Sequence, residues 1–322
     1  MEIVSRYREA IVRALDEALA VEGSLGVLVR YPVGLADPDG RPGPGVGGKL
    51  LRPSLTCFAC EALGGEATRA LPLAAAVELV HNFSLVHDDI QDGDELRRGR
   101  PAAWKAFGLP QAINAGDALL VLAVRMAGRA ALPAEDVLAA VDAILAATFA
   151  MIEGQALDVG FEGRPLGVEA YLDMARRKTG ALFGCALELG AIAAGRPDLR
   201  EGHRRLGEAL GLAFQVQDDW LGLWGTPERA GKPVGGDLAR GKRSYPIAWA
   251  LARDPSLGTF LAKGAIREAH RRLTALGAEE ATRAAAAGFL AEARAAVQDL
   301  PWPDWAQQAF AALAAALAAR EA

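Results

Sequence analysis

Apolar positions recur along most of the chain at intervals of three and four residues, the spacing that places them on one face of an α-helix. Residues 2–22 set Ile3, Tyr7, Ile11, Ala14, Leu15 and Leu19 on such a face. The same period predicts helices at about 49–64, 67–92, 111–130, 134–159, 168–194 and 200–223, then an alanine-rich helical tail from about 243 to 319. Two stretches interrupt the series. YPVGLADPDGRPGPGVGG at 31–48 and WGTPERAGKPVGGDLARGK at 224–242 are dense in Pro and Gly and read as loops. No run of β-branched residues bounded by turns suggests a strand pair, no fixed repeat period is present, and no linker is long enough to separate domains. The pattern therefore predicts an all-α fold, with residues 1–322 as one domain. Alanine costs least in a helix and lets helices approach closely, so the tail is expected to pack rather than to carry chemistry.

Composition narrows the partners. The 322 residues are 52% hydrophobic and 23% charged, enough to bury a sizeable core and too mixed in sign for disorder. A net charge of −5 argues against nucleic acid or an acidic membrane surface as partner. The amino-terminal MEIVSRYREAIVRALDEAL carries acids and lacks the long apolar run of a signal peptide. No apolar stretch reaches the ~20 charge-free residues of a membrane span, so none is expected. Three cysteines cannot frame a disulfide network, and a cytoplasmic, reducing setting is the simplest reading. Cys57 and Cys60 form a CxxC with no second ligand pair nearby, and they read as core.

Acidic clusters change the picture. In ELVHNFSLVHDDIQDGDELRRGRP at 78–101, Asp88 and Asp92 stand one helical turn apart, with His81 and Ser84 on the same stripe and Asp89 about 100° around. Like charges so placed destabilise a helix by a few tenths of a kcal/mol, which suggests that a cation is expected there. Oxygen ligands without cysteine favour a hard ion such as Mg²⁺, which takes one or two carboxylates plus substrate phosphates. A solvated acidic helix end is the plain alternative, and Arg97 and Arg98 tilt the choice towards a magnesium diphosphate. A second cluster, FQVQDDWLG at 214–222, places Asp218 and Asp219 inside an apolar helix, where they are costly unless satisfied. The loop beyond it supplies Lys232, Asp237, Lys242 and Arg243. Upstream, RRKTG at 176–180 interrupts a helix with Lys178 and Thr179, and GQALD at 154–158 sets Gln155 and Asp158 one turn apart. Singly, each could be a solvated face or a simple turn. Together, two acidic pairs 130 residues apart with lysines between and after them are suited to clamp a metal diphosphate between two facing helices.

Six segments stand in one order over most of the chain: GGKLLRP (47–53), HNFSLVHDDIQD with RRGRP (81–92 and 97–101), GQALD (154–158), KTG (178–180), FQVQDD (214–219) and GKPVGGDLARGK (231–242). In these the chain resembles the trans-prenyl diphosphate synthase family, of the short-chain geranylgeranyl and farnesyl type. The resemblance implies an isoprenoid-synthase-type bundle of ten or more helices around a central cavity, a homodimer and three Mg²⁺ ions. It implies that Asp88, Asp92 and Asp218 ligate the metal, and that Arg97, Lys178, Lys242 and Lys232 neutralise an allylic diphosphate. Lys49, Arg52, His81 and Arg98 would receive isopentenyl diphosphate, while Gln215 and Thr179 would face the carbocation. Asp89, Gln155, Asp158, Asp219 and Asp237 would be auxiliary. One departure is Gly222, where many relatives carry a third aspartate.

The activity so implied is magnesium-dependent 1'-4 condensation of isopentenyl diphosphate with allylic diphosphates to a linear all-trans product. Phe83 and Ser84, five and four residues before Asp88, would set its length, pointing to geranylgeranyl diphosphate with farnesyl diphosphate next. The segments 31–48 and 224–242 are candidates to close over the diphosphates. A class I terpene cyclase would pair DDxxD with an Asn/Ser/Glu triad. A non-catalytic subunit of a heteromeric synthase would lack one aspartate motif. A plain cation-binding helical protein would leave the basic residues without a role.

Overall fold

The computed structural model describes residues 2–161, 166–225, 238 and 244–319. They form α1 (Glu2–Ala18), α2 (Gly23–Val33), α3 (Leu51–Ala62), α4 (Ala67–Asp92), α5 (Ala103–Phe107), α6 (Leu109–Ala127), α7 (Ala134–Phe161), α8 (Val168–Ala175), α9 (Ala181–Ala193) and α10 (Arg200–Trp224). The tail forms α11 (Tyr245–Leu251), α12 (Leu257–Ala262), α13 (Ile266–Ala275), α14 (Ala278–Gln298) and α15 (Asp304–Ala318). The fold is all-α. Its strands, among the described residues, are β1 (Leu96–Arg97) and β2 (Arg100–Pro101), a two-stranded antiparallel hairpin. The chain divides into two compact units, each gathered from separate stretches of sequence.

The first unit comprises Met1–Ala146, Cys185–His203 and Trp302–Ala309. α1 buries Ile3, Tyr7, Ile11 and Leu15, the face its period predicts. α4 lies deepest, with Leu73 through Val80 buried all round. It stops at Gly93, whose left-handed φ of 67° turns the chain back into the hairpin. The hairpin was not expected from sequence, and its turn residues Arg98 (φ 53°) and Gly99 (φ 74°) give the paired left-handed geometry that suits a tight β-turn. α2 is a second departure: it continues through Pro32 to Val33 because Tyr31 and Val33 are buried, and Gly34 (φ 99°) ends it. The segment that follows is tied down rather than loose. Gly45 donates to Gly34, Gly47 to Val33, and Arg100 to the Ala36 carbonyl. Within this unit α9 touches α3 so closely that a Cβ on Gly190 would stand 2.5 Å from the Ala59 Cβ. Cys60 lies at this contact; burial pushes its thiol up to about 11 and that of Cys57 higher, so both stay protonated.

The second unit comprises Ala147–Gly184, Arg204–Pro301 and Phe310–Ala322. The helix expected over 168–194 is broken in the structure: a π-helical turn, Arg176–Gly180, separates α8 from α9. Gly207 and Gly211 of α10 let this turn approach, since Cβ atoms there would meet the Phe183 carbonyl at 2.3 Å and Gly180 Cα at 2.8 Å. α11 and α14 pack on Tyr171, Met174, Leu212 and Val216, while α13 and its neighbours gather round Leu223 and Ile247. The alanine-rich tail thus supplies core, as its propensity predicts.

Among the described residues two helices, α4 and α7, are long and apolar enough by length and composition to cross a membrane, which counting uninterrupted charge-free residues did not bring out. The apolar window of α4 is 67% buried and that of α7 is 39% buried.

Candidate active site

In the first unit α4 presents Asp88 and Asp92 on one partly exposed face. Asp89, a third of a turn around, is 2% exposed and accepts both Nε (2.8 Å) and Nη2 of Arg97. Burial raises the Asp89 pKa, and the Arg97 bond works against that rise. Desolvation works to lower the Arg97 pKa, yet its bond to Asp89 carries it above the ordinary value. Asp89 therefore braces a permanently charged guanidinium, leaving Asp88 and Asp92 to face outward.

The basic residues assemble on the adjoining flank of α4. Arg52 on α3 donates to His81 Nε2 at 3.4 Å. Burial, then Arg52 and Arg98, push the His81 pKa well below its usual value, so the ring is neutral and Nε2 is an acceptor. Arg98 lies over two glycines: a Cβ on Gly47 or Gly48 would stand 3.0 Å from its side chain. Arg8 of α1 fixes that cradle by donating to the Val46 carbonyl at 2.9 Å and the Gly48 carbonyl at 3.3 Å. Lys49 is exposed at the start of α3, where Leu50 (φ 52°) turns inward. Beside Arg98 opens a cavity of about 280 Å³, lined in part by Tyr31, Val46, Gly47, Asn82 and Asp89. Further down α4, Phe83 is buried, and Ser84 turns its hydroxyl back onto the His81 carbonyl at 2.8 Å.

The second unit holds the other set. Lys178 projects from the π-turn and donates to Asp158 at 2.6 Å. Its backbone lies on α7, where a Cβ on Gly154 would stand 2.3 Å from Lys178 N. Gln155 lies on α7 one turn before Asp158. Thr179 donates to Gln215 Oε1 at 2.7 Å, and Gln215 Nε2 donates to Asp219 at 3.0 Å. Asp219 also accepts the Tyr171 hydroxyl at 2.5 Å and the Tyr245 amide at 2.7 Å. With three donors and 8% exposure it is committed to the fold, whereas its neighbour Asp218 stays partly exposed. Gly222, on the same helix, is buried. Lys232, Asp237, Lys242 and Arg243, with nearly all of the second Gly/Pro-rich stretch, lie outside the described residues.

Among the described residues no three His, Cys, Asp or Glu side chains converge as a metal cage. Carboxylates that are few, partly exposed and accompanied by arginine and lysine fit Mg²⁺, which keeps waters and relies on phosphate oxygens for the rest of its shell. Sequence reasoning missed Glu78, Asn82, Arg8, His87, Gly116 and Tyr171. Glu78 had a visible signal, an acid inside an otherwise apolar helical run; Tyr171 and Gly116 had none.

Fold and site together define an enzyme class, the all-α prenyltransferases. The polyprenyl synthetase family model matches residues 44–272. A (2E,6E)-farnesyl diphosphate synthase of Mycobacterium tuberculosis is 45% identical over 75% of this chain and 67% of its own length. A geranylgeranyl diphosphate synthase of the same organism is 42% identical over 80% and 73%. The crystal structure of a polyprenyl synthetase from Streptomyces coelicolor superposes with a TM-score of 0.91 at 34% identity, covering 98% of each chain. The chain belongs to the polyprenyl synthetase family.

Proposed function

We propose that this protein condenses isopentenyl diphosphate with an allylic diphosphate in the 1'-4 sense, with geranylgeranyl diphosphate as product and farnesyl diphosphate second. The observation that carries the reading is the arrangement on α4: Asp89 is buried and bound to Arg97, while Asp88 and Asp92 share the partly exposed face beside it. Asp88, Asp92 and Asp218 are the residues proposed to hold magnesium, three ions by family resemblance, and bound magnesium would screen and polarise the diphosphate oxygens. Arg97 and Lys178, with Lys232 and Lys242, place fixed positive charge where the leaving diphosphate gathers negative charge, which lowers the barrier to breaking the allylic C–O bond. Gln215 and the Thr179 backbone would face the resulting cation. Lys49, Arg52, His81 and Arg98 hold the isopentenyl diphosphate so that its double bond attacks that cation. The departed diphosphate takes the proton, restoring a double bond. Water must be excluded throughout, since it would quench the cation to an alcohol.

The Phe83 ring, about 7 Å below Asp88 at 1.5 Å per helical residue, is proposed as the floor under the growing chain, with the small Ser84 beside it. Exposed apolar residues on α6 and α7 support a homodimer, and three buried, free cysteines support a cytoplasmic setting.

Purified protein is to be incubated with isopentenyl diphosphate, each allylic starter and Mg²⁺, and the products sized by mass. Asp88→Asn is expected to lower kcat by about 10²–10³, the scale for losing one charge-stabilising group. Absence of elongation with every starter would sink the proposal, and a cyclic hydrocarbon would move it to the terpene cyclases. Phe83→Ala is expected to lengthen the product.

A further inference from the structure

Phe83 does not stand alone. Its ring packs edge-on against His87, one turn nearer Asp88, with centroids 4.9 Å apart and planes at 69°. The other side of the His87 ring rests on α6. A Cβ on Gly116 would stand 2.2 Å from His87 Nε2 and 2.5 Å from Cδ2, so the imidazole occupies the space that any side chain at 116 would need. Asp117 Oδ1 lies 3.7 Å from the same Nε2, beyond hydrogen-bond reach, and that nitrogen has no hydrogen-bond partner among the described residues. The imidazole is thus placed by packing between Phe83 and the bare backbone of Gly116. A ring held by shape transmits shape: what α6 carries at 116 sets where His87 sits, and His87 sets how far the Phe83 ring can retreat.

We propose that His87 and Gly116 form a shelf behind Phe83 that sets the depth of the product cavity, making them specificity-determining positions for prenyl chain length. The proposal rests on the reading of Phe83 as the floor. A methyl group at 116 cannot coexist with the ring where it lies. The imidazole must move, and the side open to it is solvent, since the His87 side chain is 26% exposed whereas Phe83 is buried against it, so the backing behind Phe83 is withdrawn. Gly116→Ala should therefore lengthen the product. His87→Ala removes the backing and lets Phe83 swing away, which should lengthen it.

The test compares product masses from Phe83→Ala, His87→Ala, Gly116→Ala and the His87→Ala/Gly116→Ala double variant, each normalised to its own total turnover. The expected result is the appearance of geranylfarnesyl diphosphate for both His87→Ala and Gly116→Ala. The double variant should lengthen the product no further than His87→Ala alone, because the methyl group then meets no ring; this non-additivity is what a purely structural role would lack. Should Gly116→Ala fail to fold, as judged by circular dichroism, His87→Ala still decides, since it only removes atoms. If Phe83→Ala lengthens the product while the His87 and Gly116 variants keep the parent spectrum, the shelf is overturned and the floor stands. If Phe83→Ala also leaves the spectrum unchanged, floor and shelf fall together.

Discussion

Glu78 is the residue on which the basic flank of α4 balances. It is 3% exposed, accepts the Asn82 amide at 3.0 Å, and lies in the field of Arg98, Arg52 and Arg8. Burial pushes its pKa up to about 6, with those arginines and Asn82 pulling the other way. A carboxyl whose folded pKa is raised favours the native state while protonated, and that advantage is lost as pH rises through the folded value. The window here runs from about 4.5 to about 6, and above it the ionised group costs on the order of 2 kcal/mol. Glu78→Gln keeps the carbonyl oxygen that Asn82 uses but never ionises. Calorimetry should therefore find the variant at least as stable as the parent at pH 8, with any difference gone at pH 4.5. Function should move the same way, because Arg52 and Arg98 lose a nearby negative charge and present a stronger positive field: KM for isopentenyl diphosphate should fall several-fold, with KM for the allylic starter little changed. A lower melting temperature at pH 8, or equal effects on both KM values, would show that Glu78 does not play this part.

At the scale of elements, α4 was legible from end to end, because no glycine interrupts the chain from Ala67 to Asp92 and a glycine follows. α2 was not, since Pro32 and Gly34 look like the start of a loop until Tyr31 and Val33 are seen to be buried. The hairpin at 96–101 has two residues in each strand, too few to show an alternating pattern. Site residues divide in the same way. The spacing of Asp88 and Asp92 follows from helix geometry and could be read directly, whereas Asp219 and Asp218 were told apart by the family resemblance alone, because the donors Tyr171 and Tyr245 come from elsewhere in the chain. The polar break at RRKTG was legible, though not its π-form, which depends on Gly154 of α7 lying beneath Lys178. That dependence is testable. Gly154→Ala puts a methyl group 2.3 Å from Lys178 N and 2.7 Å from its Cα, so the π-turn must shift and the Lys178–Asp158 pair must open. With overall helicity retained, kcat should fall about 10²-fold, the loss that follows a displacement near 1 Å in a positioned group. Parent-level turnover from a folded Gly154→Ala protein would separate the π-turn from catalysis.

For the molecule as a whole, the open question is what covers the apolar surface of α7. Leu138, Leu145, Ile152 and Val159 recur every seven residues and are 70%, 45%, 47% and 48% exposed. Seven-residue spacing makes a narrow seam along one side of a helix, the pattern of contact with another helix. Lipid would surround the helix instead, and the exposed Glu135 and Asp142, which flank the seam, are unsuited to that. On α6, Ile113 and Val121 are exposed as well, at 43% and 59%. On the proposed homodimer, a second copy of the chain would cover these faces with one self-complementary contact, in which each substitution counts twice. Leu138→Glu with Leu145→Glu then removes four leucines from the interface, about 3–7 kcal/mol if the exposed 70% and 45% of these side chains are covered in both copies. The free subunit should barely notice, since both side chains already face water there. Sedimentation at micromolar concentration should show the parent at twice the chain mass and the double variant at the chain mass, with unchanged helical circular dichroism. A double variant that stays at the parent's mass would place the interface elsewhere. A parent already at the chain mass would remove the homodimer and leave the seam for a different partner.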